Sequence, residues 1–261
     1  MVNSLSFSLQ KILSSLKRSE WGFGIALGLI IVVLCALNYT PGTWLSGWDT
    51  LHPEFNFPLN LKRLIFGVWR QDQGLGAVAA HAHMSELPRV LLLWLFSFFL
   101  PTSFLRYFYI FLCLLLGPLG VYVFIRKLLQ KENKSETAVS SAAFLGALFY
   151  LFNLGTVQHF FVPFEMFCVQ YAALGWLFWL ATKFLQQHQK RDAVLFGFVT
   201  FLATPMAYAF VLWYVYFLSL LFYMGTVCVF EKQKRRLQIK ASLLLAIITL
   251  GLNAFWILPN L

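Results

Sequence analysis

Two carboxylates, Asp49 and Glu54, stand in the segment GWDTLHPEFN, shortly after a long apolar run. At a boundary between water and lipid, a carboxylate can take the proton from a sugar hydroxyl or hold a divalent cation against a lipid phosphate. The same pair also reads as an acidic turn capping a following helix, or as solvated charges, because Asp-x4-Glu alone is a weak signal. Arg106 lies near the start of another apolar run. An arginine at the centre of a bilayer costs roughly 2.5–3.5 kcal/mol on insertion scales, so this one belongs near a span end. There it either snorkels to water or partners a phosphate or carboxylate. Glu165, two residues after Pro163 at the start of a further run, is a similar case. His52, His81 and His83 are candidate metal ligands, but His-Ala-His sends its rings apart on a helix, and ordinary loop polarity explains them too. No metal site is assigned. Any cofactor is unknown, a divalent cation being the open candidate. The chain has no phosphate loop, dinucleotide glycine fingerprint or Gly-x-Ser-x-Gly elbow.

The elements that must position these residues follow from composition. The chain is 60% hydrophobic and 11% charged, with 29 Phe and 9 Trp. A soluble domain is about 25% charged, and so few charges cannot cover a watery surface. Lipid is the expected solvent. The net charge of +10 raises the question of nucleic acid, but fifteen of the twenty basic residues fall in four clusters between apolar runs. These are Lys11–Arg18, Arg126–Lys134, Lys183–Arg191 and Lys232–Lys240, the pattern of cytoplasmic loops under the positive-inside rule. No nucleic-acid partner is expected. Cys35, Cys113, Cys168 and Cys228 each lie in an apolar run with no metal spacing, and read as small hydrophobic residues.

About 20 apolar residues cross the roughly 30 Å of hydrocarbon. Residues 21–39 qualify, with no cleavage site after them, and read as an uncleaved anchor with a cytoplasmic N-terminus. Further spans are expected at 104–125, 139–153, 163–185, 193–208, 209–230 and 241–258. The run at 88–100, PRVLLLWLFSFFL, is too short to cross comfortably. If it only dips into the membrane, every clustered basic residue is cytoplasmic; if it crosses, twelve are outside. Charge favours the dip. The expectation is an all-α polytopic membrane protein of about seven spans, with residues 40–105 and loops near 154–162 and 205–210 on the outer side. Within the first loop, Leu61, Leu64, Ile65 and Val68 recur at helical spacing, which predicts an interface helix over 59–70. QDQGLG at 71–76 reads as a turn.

An anchor, a carboxylate-bearing outer loop with interface helices and a series of spans resembles the GT-C glycosyltransferases, membrane enzymes that use polyprenyl-phosphate-linked sugars. The stretches GWDTLHPEFN, LPTSFLRYFYIF, SAAFLGALFYLFN, VPFEMFCVQYAALGW and LNAFWILPNL are similar to the N-terminal membrane domain of the α-(1→3)-arabinofuranosyltransferase family. The likeness covers most of residues 40–261. It implies that Asp49 is the catalytic base, Glu54 a second carboxylate, and Arg106 and Glu165 the lining of the donor site. The implied division is a cytoplasmic segment, 1–20, and a GT-C-like membrane domain, 21–261, expected to be the front of a longer protein. The implied partners are the bilayer, a polyprenyl-phosphate sugar donor, and a glycan or glycolipid acceptor at the outer face of the plasma membrane. Two other classes compete: a flippase or transporter for a lipid-linked substrate, and a non-catalytic scaffold subunit. Transporters usually place polar groups on broken helices at mid-membrane, whereas the charges here fall outside or at span ends.

Overall fold

The computed structural model describes residues 22–45, 55–67, 69–70, 75–78, 84–130 and 135–261. In chain order these form α1 (Gly22–Leu37), α2 (Phe57–Phe66), β1 (Trp69–Arg70), β2 (Ala77–Val78), α3 (Leu87–Phe96) and α4 (Thr102–Leu129). There follow α5 (Glu136–Phe152), α6 (Leu154–Phe161), α7 (Glu165–Gln187), α8 (Lys190–Leu202), α9 (Phe210–Phe230) and α10 (Arg235–Ile257). Short 3-10 turns occupy Met84–Glu86, Thr204–Tyr208, Lys232–Lys234 and Leu258–Asn260.

Among the described residues the regular structure is helical apart from the two-residue antiparallel ladder Trp69↔Val78, Arg70↔Ala77. Among the described residues three helices are long and apolar enough to cross a membrane: α4, α9 and α10. A fourth arises if α5 and α6, bent by 46° at Asn153, count as one broken span. The other expected spans differ for physical reasons. Helix α7 has 23 residues, about 34 Å, but carries Gln170 and Lys183 because its neighbours enclose it. Helix α8 has 13 residues and stops after about 20 Å. Helix α1 has 16 described residues. Along α9 the side chains of Val211, Leu218, Phe222 and Phe230 face outward, an apolar surface suited to lipid rather than water.

Helices α4 and α7 form the centre, pressed together where Gly120 meets Gly175. A Cβ on Gly175 would lie 2.3 Å from the Gly120 carbonyl carbon and from Val121 N, so only glycine lets these backbones touch. On one side, α1 and α5 pack on α4 around Leu27, Ile31, Tyr122 and Ala147. On the other, α8, α9 and α10 pack on α7 around Leu177, Phe196, Leu245 and Trp256. A third cluster, with Leu64, Val90, Leu93 and Leu105, seats α2 and α3 on the start of α4.

The hairpins are closed by ion pairs. Arg126 binds Glu136 between α4 and α5, and Lys183 Nζ lies 2.8 Å from the fully buried Asp192 between α7 and α8. The basic clusters near 126, 183 and 235 thereby gather at one end of the bundle, where Leu128, Gln186 and Lys234 line one cavity. Arg89, Arg106 and Glu165 gather at the other.

Two expectations for the segments between spans need correction. The helix expected over 59–70 begins at Phe57 and ends at Phe66, and residues 69–70 turn into the ladder. Asn56 Oδ1 caps the start by accepting from Leu59 N at 3.3 Å. Gly76, at φ +100° with the Trp69 ring against it, allows the hairpin return. The buried face is Phe57, Asn60 and Leu64, whereas Ile65 points out and Val68 lies outside the described residues. Residues 154–161, expected as loop, form α6 because Asn153 Oδ1 accepts from Thr156 N at 3.1 Å and starts a new helix. Helix α3, which begins one residue before the run 88–100, has ten residues. At 1.5 Å each that is about 15 Å, half of the hydrocarbon thickness.

Candidate functional site

Arg106 is in the second turn of α4 and is buried, 3% exposed. Its Nη2 lies 2.5 Å from Glu165 Oε1, and the same nitrogen donates to the Pro163 carbonyl at 3.5 Å. Glu165 is the first residue of α7, where a carboxylate complements the positive end of the helix dipole. Sequence reasoning placed these two residues in one site, and the structure brings them into contact.

Two further charges join the cluster. Arg89, on the first turn of α3, is 5% exposed and pairs with Glu86 of the preceding 3-10 turn. Its Nη1 stands 3.9 Å from Glu165 Oε1, and its guanidinium lies 5.9 Å from the centre of the Tyr109 ring. The order Glu86, Arg89, Glu165, Arg106 alternates in sign, so these four charges, three buried and Glu165 partly buried, are formally neutral together. That alternation is what makes their burial tolerable. Sequence reasoning assigned no site role to Glu86 or Arg89. The signal was present: an arginine inside PRVLLLWLFSFFL carries the same insertion cost that singled out Arg106.

Position is set from several elements. Thr204 Oγ1 donates to the Ser85 carbonyl at 3.0 Å, tying the turn that bears Glu86 to the turn between α8 and α9. Thr43 Oγ1 and Tyr107 OH share a 2.9 Å hydrogen bond, and Tyr39 meets the Tyr107 ring edge-on at 5.1 Å. The start of the first loop is thus fastened beside Arg106.

Asp49, Glu54, His52, His81 and His83 lie outside the described residues. The described flanks of the first two, Leu45 and Phe55, both pack on the cluster that includes Leu105, next to Arg106. Among the described residues no three His, Cys, Asp or Glu side chains gather as a metal site. Glu86 and Glu165, the described carboxylates here, are engaged by arginines.

Against the charged cluster lies an apolar cavity of about 410 Å³ between α3, α4, α7 and α8. Arg89, Tyr109, Cys113, Ala172, Trp176 and Leu202 are among its walls. Trp176 is held in place by its Nε1, which donates to the Leu116 carbonyl at 2.9 Å. Arg89 therefore belongs both to the charged cluster and to the cavity. Chemically, such a site suits a molecule with a long apolar part and an anionic end.

No family model matches the chain, and comparisons with curated proteins and with solved structures find no match.

Proposed function

We propose that the chain is the membrane domain of an inverting glycosyltransferase that moves a sugar from a polyprenyl-phosphate donor to a glycan or glycolipid. In this reading it is a multi-pass plasma-membrane protein of about seven spans. Residues 1–20 are cytoplasmic and the loop 40–105 is on the outer face. The supporting observation is the joining of an apolar cavity to a buried arginine cluster through Arg89. A polyprenyl phosphate has the same two parts, and a guanidinium has five N–H donors, enough for a carboxylate and a phosphate oxygen together.

Asp49 takes the proton from the acceptor hydroxyl. The acceptor oxygen attacks the anomeric carbon from the face opposite the phosphate, and the bond from that carbon to the phosphate oxygen breaks. Polyprenyl phosphate departs with the electron pair, its charge met by Arg89 and Arg106. No covalent enzyme intermediate is required, because the phosphate is already a good leaving group. The arabinofuranose implied by the sequence resemblance is the sugar to test first.

Ala172→Trp tests the cavity. The full-length variant, in membranes, should lose transfer from a long-chain donor more than from a short-chain one, because the indole fills the tail's space. Equal turnover by variant and wild type would exclude this cavity from the donor site. One observation favours a flippase: α8 ends early, and Thr200, Thr249 and Asn253 are buried polar residues inside the bundle. Translocation of lipid-linked sugar without any transfer would establish that reading instead.

A further inference from the structure

The end of the bundle away from the arginine cluster holds a second cavity, of about 450 Å³, where α4, α7, α9 and α10 converge. Its walls are more polar than those of the first cavity. Thr182, Tyr223, Lys234 and Gln238 line it, with Leu128 and Phe230 at its apolar edge.

Gln238 is 4% exposed, and its Nε2 donates to the Leu185 carbonyl at 3.0 Å, which fixes which way the amide faces. Its Oε1 is buried with no donor among the described residues. A buried amide oxygen without a donor costs about 1–3 kcal/mol, so a cavity occupant bringing an O–H or N–H relieves it. The neighbouring hydroxyls cannot do so as they stand. Thr182 donates to the Phe178 carbonyl and shares a 2.6 Å bond with Tyr223 OH.

Charge adds to this. Between residues 231 and 240 the chain has five basic residues and one acid, Glu231, at the cavity rim. Arg235 and Arg236 open α10, and its first turn has no acidic residue. Cations there oppose the helix dipole, so an anion beside them is favoured twice. Phe230, 82% exposed, and Leu128, 39% exposed, continue the cavity onto the lipid-facing surface.

We infer that this cavity seats the headgroup of an anionic phospholipid that carries a hydrogen-bond donor, phosphatidylglycerol being the simplest. The phosphate meets Lys234 and the start of α10, a headgroup hydroxyl donates to Gln238 Oε1, and the acyl chains follow Phe230 along α9. This site is independent of sugar transfer and lies at the opposite end of the bundle.

The test uses the purified full chain, stripped of lipid in a neutral detergent. Phosphatidylglycerol, phosphatidylcholine or inorganic phosphate is then added, with thermal unfolding and lipid retention in native mass spectrometry as readouts. Phosphatidylglycerol should be retained and should raise the unfolding midpoint above that with phosphatidylcholine, and inorganic phosphate should not reproduce the rise. Gln238→Leu and Lys234→Ala should each weaken retention about tenfold, the loss of one good hydrogen bond or ion pair. Lys190→Ala, basic and at the same end but outside the cavity, should leave it unchanged. Equal effects of the two phospholipids would overturn the inference. So would stabilisation by inorganic phosphate alone, which marks a small-anion site. Should Gln238→Leu fail to fold, Lys234→Ala at an exposed position decides: wild-type retention would refute the site.

Discussion

Replacing Gly175 by alanine adds one methyl group at the place where α4 and α7 touch. That carbon would lie 2.3 Å from two backbone atoms of α4, where ordinary contact begins near 3.4 Å, so the helices must part by at least about 1.1 Å. Backbone cannot step aside as a side chain can. A gap of 0.5–1 Å already forfeits a quarter to a half of each dispersion contact it opens, and overpacking of this kind costs about 1–3 kcal/mol. The Trp176–Leu116 hydrogen bond, 2.9 Å long across the same interface, would stretch and lose about 1 kcal/mol more. Alanine returns up to about 1 kcal/mol in helix propensity. The balance is a destabilisation of about 1–3 kcal/mol. Gly225→Ala is the matched control, because nothing lies within 4 Å of its added carbon, so only the propensity gain applies. Unfolding in mixed micelles under increasing SDS, followed by tryptophan fluorescence, should move the two variants in opposite directions. If Gly175→Ala is as stable as wild type, the contact between α4 and α7 is not as close as described. Trp176 and Leu116 also wall the apolar cavity, so Gly175→Ala should weaken any activity that depends on it.

Glu165→Gln should destabilise by about 1–3 kcal/mol, since it removes the charge from the carboxyl oxygen 2.5 Å from the buried Arg106, and adding Arg106→Gln should recover part of the loss in the same unfolding assay. Asp49→Asn should lower sugar transfer by the full-length protein 10²–10⁴-fold in membranes at matched expression, and Glu54→Gln should cost less; near-normal turnover of the Asn variant would remove Asp49 from the mechanism. Cysteines introduced as Lys131→Cys and Arg236→Cys should react with a membrane-impermeant reagent from the cytoplasmic side only, and labelling from outside would reverse the orientation.

Much of the helical frame was legible in the sequence because lipid imposes a simple rule: every backbone polar group must be satisfied within its own segment. Runs of apolar residues near 104–125, 209–230 and 241–258 correspond to α4, α9 and α10 within a few residues at most ends. The insertion cost of an arginine likewise marked Arg106. The segments between the long helices were less readable, since their order depends on local capping and a hairpin. Asn56, Asn153 and Gly76 decide where their helices start and where the chain turns, and apolar periodicity does not report such contacts. The role of Arg89 was also out of reach. Its pairing with Glu86 is local, but its approach to Glu165 joins residues 76 apart in sequence. Composition and charge pattern by themselves determined that the chain is built of apolar helices and where its basic ends lie, because solvation acts on each segment separately. Only the tertiary structure decided which charges neutralise one another, that Arg89 walls a cavity, and that Gly120 and Gly175 set the spacing of the central helices. Those outcomes depend on which surfaces meet, and packing brings together residues that no local rule relates.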